Sequence, residues 1–116
     1  MVFNATKTDH KYLYEAEHYL SNGVYEKALE LFTKLYHMAS YYEYNGGFQQ
    51  GRYVYRLAQC HDALGNTEKA IAYYNQFYSL YENADSTYQE WVRNSVERLN
   101  VLGGVPEKEL TTQESL

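Results

Sequence analysis

Three side chains of catalytic type stand in a row at Cys60-His61-Asp62. A thiol, an imidazole and a carboxylate are the parts of a nucleophilic site, in which the histidine takes the thiol proton and the acid orients the histidine. The spacing argues against that use. Neighbouring helical residues point ~100° apart and do not face one another. His61 falls on an apolar stripe with Asp62 beside it, and Cys60 reads as a small packed hydrophobe. The histidines do not assemble a metal site either. His10 and His18 lie two helical turns apart with Tyr14 and Glu15 in the gap, and His37 and His61 are isolated. Each reads as a structural, hydrogen-bonded histidine. Gly46-Gly47 and Gly103-Gly104 lack the glycine spacing that cradles a phosphate. Glu15 with Glu17, and Glu26 with Glu30, are ordinary solvent-facing acids. The sequence therefore predicts no catalytic residue, no metal and no cofactor, and a protein that is not an enzyme.

Composition narrows the partners. The chain has 116 residues, of which 15 are tyrosine, with one cysteine, one proline and a net charge of −5. That length suits one domain and a core that needs no disulfide or metal. An isoelectric point near 5.3 argues against nucleic acid or an anionic membrane surface as partner. No run approaches the ~20 apolar residues of a membrane span. Residues 1–11 lack the apolar core of a secretory signal, so a cytoplasmic location is expected and the sequon at Asn4 is read as chance.

Glycines punctuate five segments with helical periodicity. The first runs from about Thr8 to Ser21, capped by Thr8 or Asp9, with Tyr12, Ala16 and Tyr19 in register. The second, from about Val24 to Tyr44, carries Tyr25, Ala28, Leu29, Phe32, Leu35, Tyr36 and Ala39. The third, from about Phe48 to Leu64, carries Val54, Leu57, Ala58, His61 and Leu64. The fourth follows Asn66, a suitable N-cap, and carries Ala70, Ile71, Tyr74, Phe77, Tyr78 and Tyr81. The fifth, from about Ser86 to Leu102, opens with the capping-box pair Ser86 and Gln89 and carries Tyr88, Trp91, Val92, Ser95, Leu99 and Leu102. The short connections at Gly23 and Gly65 require antiparallel hairpins. The expected class is all-α. Residues 1–7 are expected to be a flexible N-terminus and 105–116 a polar, disordered tail.

Two stretches repeat. Residues 23–32 read GVYEKALELF and residues 65–74 read GNTEKAIAYY. Each follows a helix with an alanine seven residues before the glycine, Ala16 and Ala58. This self-similarity resembles the tetratricopeptide repeat, a helix-turn-helix unit of about 34 residues. The resemblance implies a right-handed superhelix of hairpins, with Gly23 and Gly65 at the turns, Ala28 and Ala70 at the helix crossings, and Phe32 and Tyr74 closing each hairpin. It implies one repeat over about 8–44, a second over about 48–83, and a capping helix over about 86–102. The glycines are 42 positions apart (65 minus 23), and the excess over the family length is assigned to an insertion and loop at about 40–51.

The resemblance also implies a function, a non-enzymatic adaptor, scaffold or small chaperone that holds a partner segment in a concave groove lined by the first helix of each pair. The residues expected there are Leu13, Glu17 and Leu20; Arg52, Tyr55, Arg56, Gln59 and Asp62; and Arg93, Glu97 and Asn100. Arg52 and Arg56 are expected either to meet an acidic partner residue beside an apolar anchor or to pair with Glu90 or Glu97. Family members that grip acidic chaperone tails carry lysine and asparagine where Leu13, Glu17, Tyr55 and Gln59 stand, so that activity is not expected. Tyr41, Tyr42, Tyr44 and Phe48 form a candidate second surface, which suits a homodimer or a second partner. The alternatives are a dimeric secretion-type chaperone and a helical bundle with a tyrosine-lined ligand pocket.

Overall fold

The computed structural model describes residues 5–41, 43–84 and 86–104, and of these residues 5–10, 39–41, 43–50 and 86–87 by their backbone alone. They form five helices: α1 (Ala5–Ser21), α2 (Tyr25–Tyr41), α3 (Glu43–Ala63), α4 (Thr67–Tyr81) and α5 (Ser86–Leu102). Each helix packs against its neighbour in sequence, α1 on α2, α2 on α3, α3 on α4 and α4 on α5. This is the all-α hairpin array that the sequence predicts.

The two hairpin turns have the same geometry. Gly23 and Gly65 take φ of +76° and +81°, the left-handed conformation that a side chain resists. The Val24 N–H donates to the Tyr19 carbonyl at 2.9 Å, and the Asn66 N–H to the His61 carbonyl at 2.8 Å. The Gly23 and Gly65 N–H groups close inner bonds of 3.1 Å on Leu20 and Asp62. Both are Schellman stops, which satisfy the orphan carbonyls of a helix end while reversing the chain. The repeat of sequence is thus a repeat of backbone hydrogen bonding.

Several boundaries differ from expectation. α1 begins at Ala5, ahead of the caps expected at Thr8 or Asp9. Instead of a loop over 40–51, α2 runs to Tyr41 and α3 starts at Glu43, so Gly46, Gly47 and Gly51 are helical and the extra residues lengthen α3. Glycine costs a helix interior only ~1 kcal/mol, which the packing of the rest of α3 offsets. Asn66 makes no side-chain capping bond. Its amide turns back to His61 Nδ1 at 3.1 Å. Gln89 Nε2 donates to the Ala84 carbonyl at 2.6 Å, which ties the start of α5 to the preceding turn. Residues 1–4, Tyr42 and the tail 105–116 lie outside the described residues.

α3 is the central helix. Tyr53, Leu57 and Cys60 join Leu13, Ala16, Ala28, Phe32 and Leu35 in one buried cluster. Val54, Tyr55 and Ala58 join Ala70, Tyr74, Phe77, Tyr88, Val92 and Leu99 in another. A helix covered on two sides has no wide polar face. That is why Tyr53, Val54 and Tyr55 are all buried although they are consecutive.

Candidate functional site

The inner faces of α1, α3 and α5 meet along an open groove of about 540 Å³. Leu20 and Tyr25 form its wall at the first turn. Arg56, Gln59, Asp62 and Ala63 form its floor along α3, and Tyr74 and Arg98 close the far side. Spacing explains the floor. Positions 56, 59 and 63 recur at i, i+3 and i+7 on one helical face.

Two ion pairs cross the groove. Arg56 Nε donates to Glu17 Oε2 at 2.9 Å, joining α3 to α1. Its Nη1 donates to Gln59 Oε1 at 2.7 Å. The guanidinium lies 4.9 Å above the Trp91 ring, a cation–π contact. Trp91 in turn stacks on Tyr55 with centroids 4.6 Å apart and planes 9° from parallel. On the other side, Arg98 Nε and Nη2 donate to the two oxygens of Asp62 at 2.7 and 2.9 Å, a bidentate pair joining α5 to α3. The Tyr74 hydroxyl donates to Asp62 Oδ2 at 3.0 Å. Burial and the neighbouring Asp62 carboxylate push the Tyr74 phenol far above its usual range, so it stays protonated and donates at any working pH. The hydrogen bond to Asp62 likewise raises the Arg98 pKa, which keeps that cation charged.

Of the eleven residues expected in the groove, Leu20, Arg56, Gln59 and Asp62 line it, and Glu17 reaches it through Arg56. Leu13 and Tyr55 do not: both are core residues, exposed by 9% and 3%. Tyr55 faces α5, where Asn94 Nδ2 donates to its hydroxyl at 2.6 Å. Burial raises its pKa. Arg52 is half-buried and outside the lining. Arg93, Glu97 and Asn100 are exposed on the outer side of α5. The inward face of that helix carries Trp91, Asn94 and Arg98, one residue away in register. Arg98 was missing from the expected groove, and its signal was available: it lies i+7 from Trp91, which the core stripe had already turned inward. Arg56 pairs with Glu17 rather than with Glu90 or Glu97. The side chains of Tyr41, Tyr42, Tyr44 and Phe48 lie outside the described residues.

Cys60, His61 and Asp62 diverge. Cys60 is fully buried in the first cluster, and burial pushes its thiol up to about 12. His61 stacks on Tyr73 at 5.7 Å with planes 7° apart. Asp62 faces Arg98 and Tyr74. A thiol held protonated and pointing away from its neighbours is not a nucleophile.

Against this geometry, the comparison with known families is specific: residues 52–84, which span most of α3, the Gly65 turn and α4, match the tetratricopeptide repeat. This segment is similar to one tetratricopeptide repeat. The match covers the second hairpin, where the groove floor and Tyr74 lie. Searches of curated proteins and of solved structures give no match. Tetratricopeptide repeats are protein–protein interaction modules and typically have no catalytic activity of their own. Among the described residues no helix is long and apolar enough to cross a membrane.

Proposed function

We propose that the chain is an adaptor or small holding protein that binds a segment of a partner protein along the groove between α1, α3 and α5. The observation that carries this reading is the groove itself, an open cleft of about 540 Å³ whose floor mixes apolar, amide and charged groups. Such a surface suits an extended or helical segment bound by a few anchors. The tyrosines support this reading over a ligand pocket. Tyr53, Tyr55, Tyr74 and Tyr88 are buried among other side chains, and among the described tyrosines Tyr25 and Tyr74 reach the groove wall. Most of the aromatic excess therefore serves packing.

The test fills the groove without touching the core. Ala63 is exposed on its floor, so Ala63→Arg should leave the melting temperature nearly unchanged. A partner captured by the wild-type chain from its native host should be lost by Ala63→Arg. A folded Ala63→Arg protein that keeps every captured partner would remove the groove from consideration.

A further inference from the structure

The inner face shows which kind of segment it selects. Crossing from α1 to α5, its charges alternate: Glu17, Arg56, Asp62, Arg98. Each arginine is already held by a carboxylate, at 2.9 Å for Arg56 and 2.7 Å for Arg98. A purely acidic segment would meet guanidinium groups that are neutralised, and would meet Glu17 and Asp62 beside them. A purely basic segment has the mirror problem. Like charges brought together in a cleft oppose binding, and a pair broken by a ligand leaves a half-buried charge uncompensated.

Exposure gives the alternation a direction. In the first pair the acid is the more accessible member, Glu17 at 30% against Arg56 at 20%. In the second pair it is the base, Arg98 at 37% against Asp62 at 14%. Arg56 is further occupied by Gln59 and covered by Trp91, and Asp62 by Tyr74. The charges within reach of a ligand are therefore a carboxylate at the α1 end and a guanidinium at the α5 end. The Gln59 and Ala63 floor lies between them.

Building on the groove reading, we propose that the groove selects a polypeptide segment carrying both signs of charge, with its basic side chain at Glu17 and its acidic side chain at Arg98. Both charges sit over α3, Glu17 held at Arg56 and Arg98 held at Asp62, and positions 56 and 62 are separated by roughly 9 Å of helix rise. Extended chain covers ~3.3–3.6 Å per residue, which sets the two charges about three residues apart. The α1 end also offers Leu20 and Tyr25, so an apolar residue should accompany the base.

A displayed library of random peptides, panned on the full-length wild-type chain and in parallel on Ala63→Arg, tests this. The wild type should enrich peptides with a base and an acid at that separation. Representative winners should lose about tenfold in affinity when their acid is replaced by alanine, and comparably when their base is. Glu17→Gln keeps an acceptor for Arg56 and should abolish the preference for the base alone. Arg98→Gln should abolish the preference for the acid alone. Enrichment of acid-only peptides, or a ranking unchanged by Glu17→Gln, overturns the proposal and leaves the groove reading intact. Equal enrichment on wild type and Ala63→Arg overturns both.

Discussion

The first core cluster is mostly aliphatic and small, whereas four of the nine buried residues described in the second are rings. Around Leu13, Ala16, Ala28, Leu35, Leu57 and Cys60, the first cluster buries two aromatic side chains, Phe32 and Tyr53. The second joins Tyr55, Tyr74, Phe77 and Tyr88, with Trp91 and Tyr81 packed on them. Phe77 alone contacts Tyr55, Tyr81, Tyr88 and Trp91 at centroid distances of 5.2, 4.9, 5.9 and 6.2 Å. The turns feeding the two clusters are superposable in their hydrogen bonds, so backbone does not explain the difference. Each cluster is enclosed by three helices, so the difference lies in the side chains that fill it. α1 and α2 meet α3 on one side only, and small side chains let three helices close together. On the other side, among α3, α4 and α5, rings fill the space while their hydroxyls reach polar partners at the rim. Tyr55 to Asn94 and Tyr74 to Asp62 are such pairs. The second cluster therefore both stabilises the fold and fixes the groove, because Tyr74 holds Asp62 and Tyr55 supports Trp91 beneath Arg56.

If rings carry the second cluster, Tyr55→Ala should be the most damaging single change. It removes a side chain that touches Tyr74, Phe77 and Trp91 and orphans Asn94. The expected loss is about 3–5 kcal/mol, the usual range for a large aromatic truncated in a core. Leu35→Ala in the first cluster should cost about 2–5 kcal/mol by loss of apolar volume alone. The discriminating readout is Trp91, which lies beneath Arg56. Near-ultraviolet circular dichroism of Trp91 should change in Tyr55→Ala and not in Leu35→Ala. A Trp91 signal that responds equally to both would mean the two clusters behave as one.

Gly51→Ala tests how tightly the rings are held. In an ordinary helix interior this exchange gains up to ~1 kcal/mol. At Gly51 the added methyl would run into the phenol of Tyr81, which packs on Phe77 and Tyr88 at 4.9 and 4.7 Å. Overpacking costs ~1–3 kcal/mol, so it should outweigh the propensity gain and lower the urea midpoint. A raised midpoint would show that Tyr81 swings away freely and that the ring cluster is looser than its contacts.

These contrasts also mark what was legible in the sequence. The turn glycines, the alanines at the crossings and the repeat were readable because they follow local rules, namely left-handed φ and close helix approach. Leu20, Arg56, Gln59 and Asp62 line the cleft, the last three along the end of α3 that runs into the Gly65 turn. Tyr55 is in the core rather than the cleft because periodicity assumes one buried face per helix, and α3 has two; Leu13 of α1 is buried in the first cluster. Arg98 was missed for a related reason. Arg93, Glu97 and Asn100 were expected on the groove face because they lie off the core stripe, yet the register of α5 is set by Trp91 stacking on Tyr55, a contact between distant positions. The added length in α3 was unreadable because Gly46, Gly47 and Gly51 signal a loop locally, and tertiary packing overrides that signal.

A smaller effect, opposite in sign, is expected within the second cluster's own helix. Ser95 in α5 is fully buried, and its Oγ has no hydrogen-bond partner among the described residues. A buried unsatisfied hydroxyl costs roughly 1–3 kcal/mol, whereas a methyl at the same place costs little. Ser95→Ala should raise the denaturant midpoint by about 1 kcal/mol of stability. No gain would mean that the hydroxyl is satisfied and that this helix packs differently from its description.

The smallest expected effect lies at the seam of the two clusters. Tyr36 and Tyr73 pack on both, edge to face at 6.3 Å, and His61 stacks on Tyr73. Burial, and then the nearby Lys69 charge, lower the His61 pKa below its ordinary 6.5. Its Nδ1 faces the Asn66 amide at 3.1 Å, an arrangement that needs an unprotonated acceptor. A group with a depressed folded pKa favours the folded state above its unfolded value. Below pH 6.5 the unfolded chain takes up a proton that the folded chain resists, so stability falls as the pH drops towards the folded pKa. The melting temperature of the wild type should therefore decline below that pH more steeply than that of His61→Gln, which cannot titrate. Hydrogen exchange then reports which side of the seam yields. Loss of the Asn66 bond frees the α3–α4 turn, so amides around Tyr74 should lose protection before those around Phe32. Simultaneous loss would show that Tyr36 and Tyr73 couple the clusters strongly enough that the aliphatic and aromatic halves unfold as a single unit.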